Sequence, residues 1–117
     1  MANNTKSILV LSTFPETASV KSVAETLVNE KLAACVNVIP GVQSIFRWQD
    51  KIDNANENIL IIKTKDSLYD ELEVRIKELH PYELPEIISV PIDKAIFLIG
   101  SPIFLRSFHP QTPSMCN

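Results

Sequence analysis

The chain has 117 residues, 45% of them hydrophobic and 21% charged, with a formal net charge of −3. That length suits one domain, residues 1–117, able to bury a core without disulfide or metal staples. The acidic balance argues against a nucleic-acid partner, and the lack of a basic amphipathic segment argues against a membrane surface. No apolar run reaches the ~18 residues of a spanning helix. The start "MANNTKS" is short and polar, without the charged-then-apolar pattern of a leader, so the expectation is a cytoplasmic protein.

"SILVLSTF" (7–14) is a β-branched and leucine run that reads as a strand buried on both faces and stopped by Pro15. In "TASVKSVAETLVNEKL" (17–32) the period changes. Val20, Val23, Ala24, Leu27, Val28 and Leu32 follow helical spacing, and Thr17 or Ser19 can cap the start. "AACVNVIPGVQSIFRWQD" (33–50) returns to strand character. Pro40-Gly41 demands a bulge or bend inside it. Fully extended, this segment reaches ~50 Å, so its outer half is expected to project as a hairpin arm. "DNANEN" (53–58) reads as the turn by its Asn and Asp content, and "ILIIK" as the next strand. "DSLYDELEVRIKEL" (66–79) is a second helix. Asp66 is its expected cap, Leu68, Leu72, Ile76 and Leu79 its buried side, and Glu71–Arg75 an i,i+4 pair. Pro81 disfavours a helical conformation at His80, which ends the helix. "IISVPI" (87–92) is the fourth strand.

The order β-α-β-β-α-β is the split βαβ, or ferredoxin-like, arrangement of the α+β class. Both helices then lie on one face of an antiparallel sheet. The other face is apolar and uncovered, and self-association is the simplest way to cover it.

The string "EKLAACVNVIPGVQSIFRWQDKI", then "IIKT", then "HPYELPEIISVPI", resembles the CutA divalent-cation tolerance family over residues 7–93. The resemblance implies a ferredoxin-like subunit in a tight homotrimer, related in architecture to the PII signalling proteins. It also implies an association with tolerance and binding of copper and other divalent cations, and with one candidate imidazole the expectation for this chain is a non-enzymatic protein that binds such a cation weakly. Residues 94–117 depart from the family pattern: Ala95 stands where a glycine is usual, and no "YLxWI"-like segment follows. This tail, "AIFLIGSPIFLRSFHPQTPSMCN" from Ala95, is either a divergent segment that packs its phenylalanines on a neighbour or a variant C-terminus.

Imidazole is the commonest protein ligand for copper or zinc, which makes His80, with a carboxylate such as Glu86, the metal candidate. The resemblance tempers it. The family's copper-binding bacterial form joins a first-strand cysteine to two adjacent histidines, whereas this chain has Ser12 and Leu79-His80. His80 has a second reading as a purely helix-ending residue. The resemblance also assigns Trp48, Lys63, Tyr82 and Glu86 to a cleft near the subunit boundary. Together these offer a cation, a phenol, a carboxylate and an aromatic plate, a set suited to a small anionic metabolite in a PII-like regulatory role. A second reading has Trp48 packing in the trimer contact and Glu86 paired with Lys63 across it. Cys35 matches the family's "AAC" cysteine at the same boundary. Its apolar surroundings read as a buried, unreactive free thiol, and Cys116 as incidental. No catalytic residue is assigned, because Ser12, Ser44 and Thr64 lack a His–Asp partnership.

Overall fold

A computed structural model describes residues 6–95; the expectations for the tail from Ile96 onward lie outside the described residues. The elements are β1 (Ser7–Pro15), α1 (Val20–Asn29), β2 (Cys35–Trp48), β3 (Lys51–Lys65), a 3-10 turn (Asp66–Leu68), α2 (Tyr69–Leu79) and β4 (Ile87–Pro91). The strands form one sheet in the order β2-β3-β1-β4, with every neighbouring pair antiparallel. This is the ferredoxin-like α+β fold expected from the pattern.

Strand periodicity decides what each face carries. On one face, Ile8, Val10 and Phe14 of β1 and Leu60 and Ile62 of β3 join Val23 and Leu27 of α1 and Leu72 and Ile76 of α2 in a single buried cluster. Two hydroxyls sit fully buried on the same face. Each is satisfied by a backbone carbonyl: Ser12 Oγ donates to Glu86 O at 2.8 Å, and Thr64 Oγ1 to Leu32 O at 2.8 Å. The opposite face carries Leu9, Leu11, Ile59, Ile61, Ile88 and Val90, aligned by register. Ile88 and Val90 are exposed and the others half-buried. β1 is therefore buried on one face within the protomer, not on both, because both helices pack on the same side.

α1 is shorter than its apolar spacing suggests. After Glu30, Lys31 turns left-handed at φ 63°. Leu32 N–H then bonds Leu27 O at 3.0 Å and Lys31 N–H bonds Val28 O at 3.0 Å. These are the two bonds of a Schellman cap. Leu32 continues the apolar stripe but closes the helix rather than extending it. Ser19 is the N-cap residue, without a side-chain cap bond. Nor does Asp66 cap α2 with its side chain; its N–H instead bonds Lys6 O at 2.8 Å. Arg75 pairs with Glu30 at 2.9 Å and Glu78 at 3.3 Å rather than with Glu71. Leaning towards α1, its guanidinium meets Glu30 with two nitrogens, a fork geometry that Glu71 along the same helix does not offer.

β2 and β3 run on beyond the end of β1 as a two-stranded arm. It closes at Gln49 (φ 51°) and Asp50 (φ 64°), between the paired residues Trp48 and Lys51. A two-residue turn with both φ positive is type I′. The turn is thus not "DNANEN", whose residues lie inside β3. Asp53, Asn54 and Asn56 are exposed on a ribbon that, for most of this length, has no third strand, which gives the same polar composition as a turn.

The bend at Pro40-Gly41 is as expected. Ile39 pairs with Ile59, but Val42 pairs with Glu57, so β2 holds one more residue than β3 there, and Gly41 takes φ 71°. One inserted residue reverses the alternation. Before it, odd-numbered residues of β2 face away from the helices. After it, the even-numbered Val42, Ser44, Phe46 and Trp48 do.

Backbone strain at these left-handed sites gives a matched pair of tests. Replacing Gly41 with Ala is expected to cost about 1–2 kcal/mol, and Asp50→Gly to add about 0.5–1 kcal/mol. Shifts of the denaturant midpoint in opposite directions check both.

Candidate functional site

The loop between α2 and β4 is organised by the His80 ring. His80 takes extended backbone angles, φ −88° and ψ 137°, as the following proline requires. Its side chain is 8% exposed and stacks on Phe14 with ring centroids 4.1 Å apart. Nε2 lies 2.7 Å from Thr13 O, and Nδ1 accepts the Tyr82 N–H at 3.0 Å. A carbonyl can only accept, so Nε2 carries the proton and Nδ1 the lone pair. Both nitrogens are engaged. A metal at Nδ1 would have to displace the Tyr82 N–H, so the helix-ending reading describes this ring as the structure holds it.

From there the loop crosses the edge of the sheet. Tyr82 reaches the face away from the helices, and its phenol donates to Glu57 Oε2 at 3.1 Å. Glu57 is 7% exposed and has no ion-pair partner among the described residues. Beyond it, Ser12 holds the Glu86 carbonyl, leaving the exposed Glu86 carboxylate on the open side.

Two adjoining depressions of about 480 Å³ each lie between this loop and the arm. Thr13, Ser44, Phe46, Glu57, Tyr82 and Glu86 line the first. Phe46, Trp48, Asp53, Tyr82 and Glu83 line the second. Both share Leu84, which is 89% exposed. The bulge at Gly41 is what turns Phe46 and Trp48 towards this loop.

Within one chain Trp48, Tyr82 and Glu86 line the two depressions, whereas Lys63 and Cys35 lie elsewhere on the sheet. Those two pair with each other across β2 and β3, twelve residues along β3 from Lys51, the partner of Trp48. At about 3.3 Å per residue that is ~40 Å away. Cys35 is buried, and no cysteine is free among the described residues, which corrects the free-thiol reading. Burial in an apolar run is shared by thiols and disulfides, so it did not separate them. Cys116 lies outside the described residues. Sequence reasoning missed Glu57, because "DNANEN" placed it near a turn, and Phe46. The alternation of "VQSIFRW" continued past the bulge would have found Phe46.

Among the described residues no group of three or more His, Cys, Asp or Glu side chains is placed to hold a metal. No helix there is long and apolar enough to cross a membrane.

A four-stranded antiparallel sheet with two helices on one face and a bulged, projecting arm defines a ferredoxin-like subunit. The family described as "CutA1 divalent ion tolerance protein" matches residues 8–97, and the chain belongs to that family. It is 44% identical over 84 residues to the divalent-cation tolerance protein CutA of Thermus thermophilus, covering 72% of this chain and 82% of the relative. It is also 44% identical over 86 residues to a chloroplastic CutA protein of Oryza sativa subsp. japonica, covering 74% of this chain. The chain spans about half the length of its plant relatives, 49% in rice and 47% in Arabidopsis thaliana. A crystal structure of CutA1 from Oryza sativa superposes with a TM-score of 0.76 at 40% identity, over 80% of this chain and 86% of that one.

The Tyr82 phenol ionises above the ordinary tyrosine value of 10.0, first because of burial, then because Glu57 accepts its hydrogen and repels the phenolate. Tyr69 is raised too, by burial and by Glu73. A raised value means that the folded state keeps the proton longer. The stabilisation is full below the unfolded value of 10.0 and is lost as pH climbs through the folded one. Tyr82→Phe is expected to cost about 1 kcal/mol at neutral pH, below the ~1.5–3 kcal/mol of a bond to a charged group because the phenol is partly exposed. That difference should shrink under strongly alkaline conditions. Denaturation at several pH values, with phenolate absorbance followed in parallel, checks it.

Proposed function

We propose that this protein is a non-enzymatic, cytoplasmic divalent-cation tolerance protein that works as a homotrimer and holds copper or a similar cation weakly. The observation that carries the reading is the apolar sheet face of Leu9, Leu11, Ile59, Ile61, Ile88 and Val90, over which the described elements place nothing. Exposed apolar area of that kind is what other copies of a chain cover. The arm supports it, since a two-stranded ribbon is at best marginally stable alone.

In this reading the cation sits near the loop, on Glu86 and on His80 after Nδ1 has given up its hydrogen bond to Tyr82. That exchange costs about 1 kcal/mol, and a site of one imidazole and a carboxylate is open rather than caged, so binding is weak. The names of the relatives, divalent-cation tolerance proteins, support the ligand class.

Sedimentation equilibrium is expected to give a trimer at micromolar concentration, and a monomer would overturn the assembly. Calorimetric copper titration is expected to weaken roughly tenfold, or 1.4 kcal/mol, in Glu86→Gln and in His80→Ala. Affinities equal to the wild type in both would overturn the metal site.

A further inference from the structure

On the face of β3 that points away from the helices, the aliphatic pair Ile59 and Ile61 is bounded by Glu57 at one end and Lys63 at the other. Glu57 is 7% exposed, and its carboxylate receives the neutral Tyr82 phenol at 3.1 Å. Lys63 is half-buried between its register partners, Leu9 of β1 and Cys35 of β2. Neither charge has an ion-pair partner among the described residues.

The two cannot meet within one chain. Six residues of strand hold them ~20 Å apart, beyond the reach of both side chains together. The depression that Glu57 lines with Thr13, Tyr82 and Glu86 has no lysine or arginine among its lining residues. A charge sealed under a covering copy without a counter-charge is costly. The copy that covers this face therefore has to bring one. Lysine suits the task, because its four-carbon stem lies along apolar surface while the ammonium reaches past it.

We infer that Lys63 of one copy enters the Tyr82-lined depression of the next and pairs there with Glu57. The inference rests on the homotrimer reading and names the contact that sets its register. In a closed ring each copy offers one patch and receives a different one, so an acid and a base at opposite ends of a single face are complements. Such a pair specifies alignment more than it adds affinity. A copy shifted along the aliphatic face would leave both charges covered and unpaired. The exposed Glu86 takes no part in the pair, so the metal reading is untouched.

Urea-induced dissociation of the full-length assembly, followed by sedimentation velocity with circular dichroism as the check on folding, tests the pairing. Lys63→Met keeps an unbranched stem, and Glu57→Gln keeps an acceptor for the Tyr82 phenol. Each alone leaves one charge buried without its partner and is expected to weaken assembly at least about tenfold at a given urea concentration. The two together leave neither charge, and the double variant should assemble about threefold or more tighter than either single. Where a single variant fails to fold, recovery of a folded trimer in the double variant is the same result. Singles as resistant as the wild type, or a double variant no tighter than the singles, would overturn the pairing and leave the trimer standing. A monomeric wild type would overturn the assembly itself, and the pairing with it.

Discussion

An imidazole with both nitrogens in hydrogen bonds holds the end of α2 against the end of β1. The ring donates to Thr13 O, accepts from Tyr82 N–H and lies on Phe14, itself fully buried in the core. Three constraints on one rigid side chain leave the loop little freedom at its start. At its far end the loop is fixed by Ser12 Oγ on Glu86 O. The positions of Tyr82, Glu83, Leu84 and Glu86 relative to the arm depend on those two anchors, and Tyr82 in turn covers Glu57. Burying a polar ring is tolerable only because each of its polar atoms has a partner. The same satisfaction withdraws His80 from ready use as a ligand.

The helices and the loop divide the sheet's two faces between different tasks. The helix side closes a core whose polar intrusions, Ser12 and Thr64, both end on backbone carbonyls. The other side keeps its aliphatic residues half-buried or exposed in the centre, with the acidic, aromatic depressions running along the arm. Apolar area in the middle and charge at the margin is also the usual arrangement of an interface between subunits.

Much of this was legible in the sequence. The β-branched and leucine run "SILVLSTF" and the helical spacing from Val20 and from Leu68 set the order of elements, and Pro40-Gly41 announced the bulge. The errors have local causes. α1 was drawn too long because its left-handed cap residue is Lys31 rather than glycine, so no composition signal marks the stop. The turn was misplaced because Gln49-Asp50 lacks the glycine that usually signals type I′, while polar "DNANEN" imitates a loop. At the site, Tyr82 and Glu86 stood out in a proline-stiffened stretch. The separation of Lys63 from Trp48 depends on strand register across two paired strands, which residue types alone do not encode. Glu57 was hidden by the same misplaced turn.

The extra residue at Pro40-Gly41 has a consequence for how this arm can change. Because side chains alternate strictly along β2, deleting one codon there would exchange the arm's two faces at a stroke. Arg47, Ile45 and Gln43 would then meet the Tyr82 loop, and Phe46 and Trp48 would turn to the opposite side, with no side chain altered. The smallest possible change in length is therefore a larger change in surface chemistry than any single substitution along the arm.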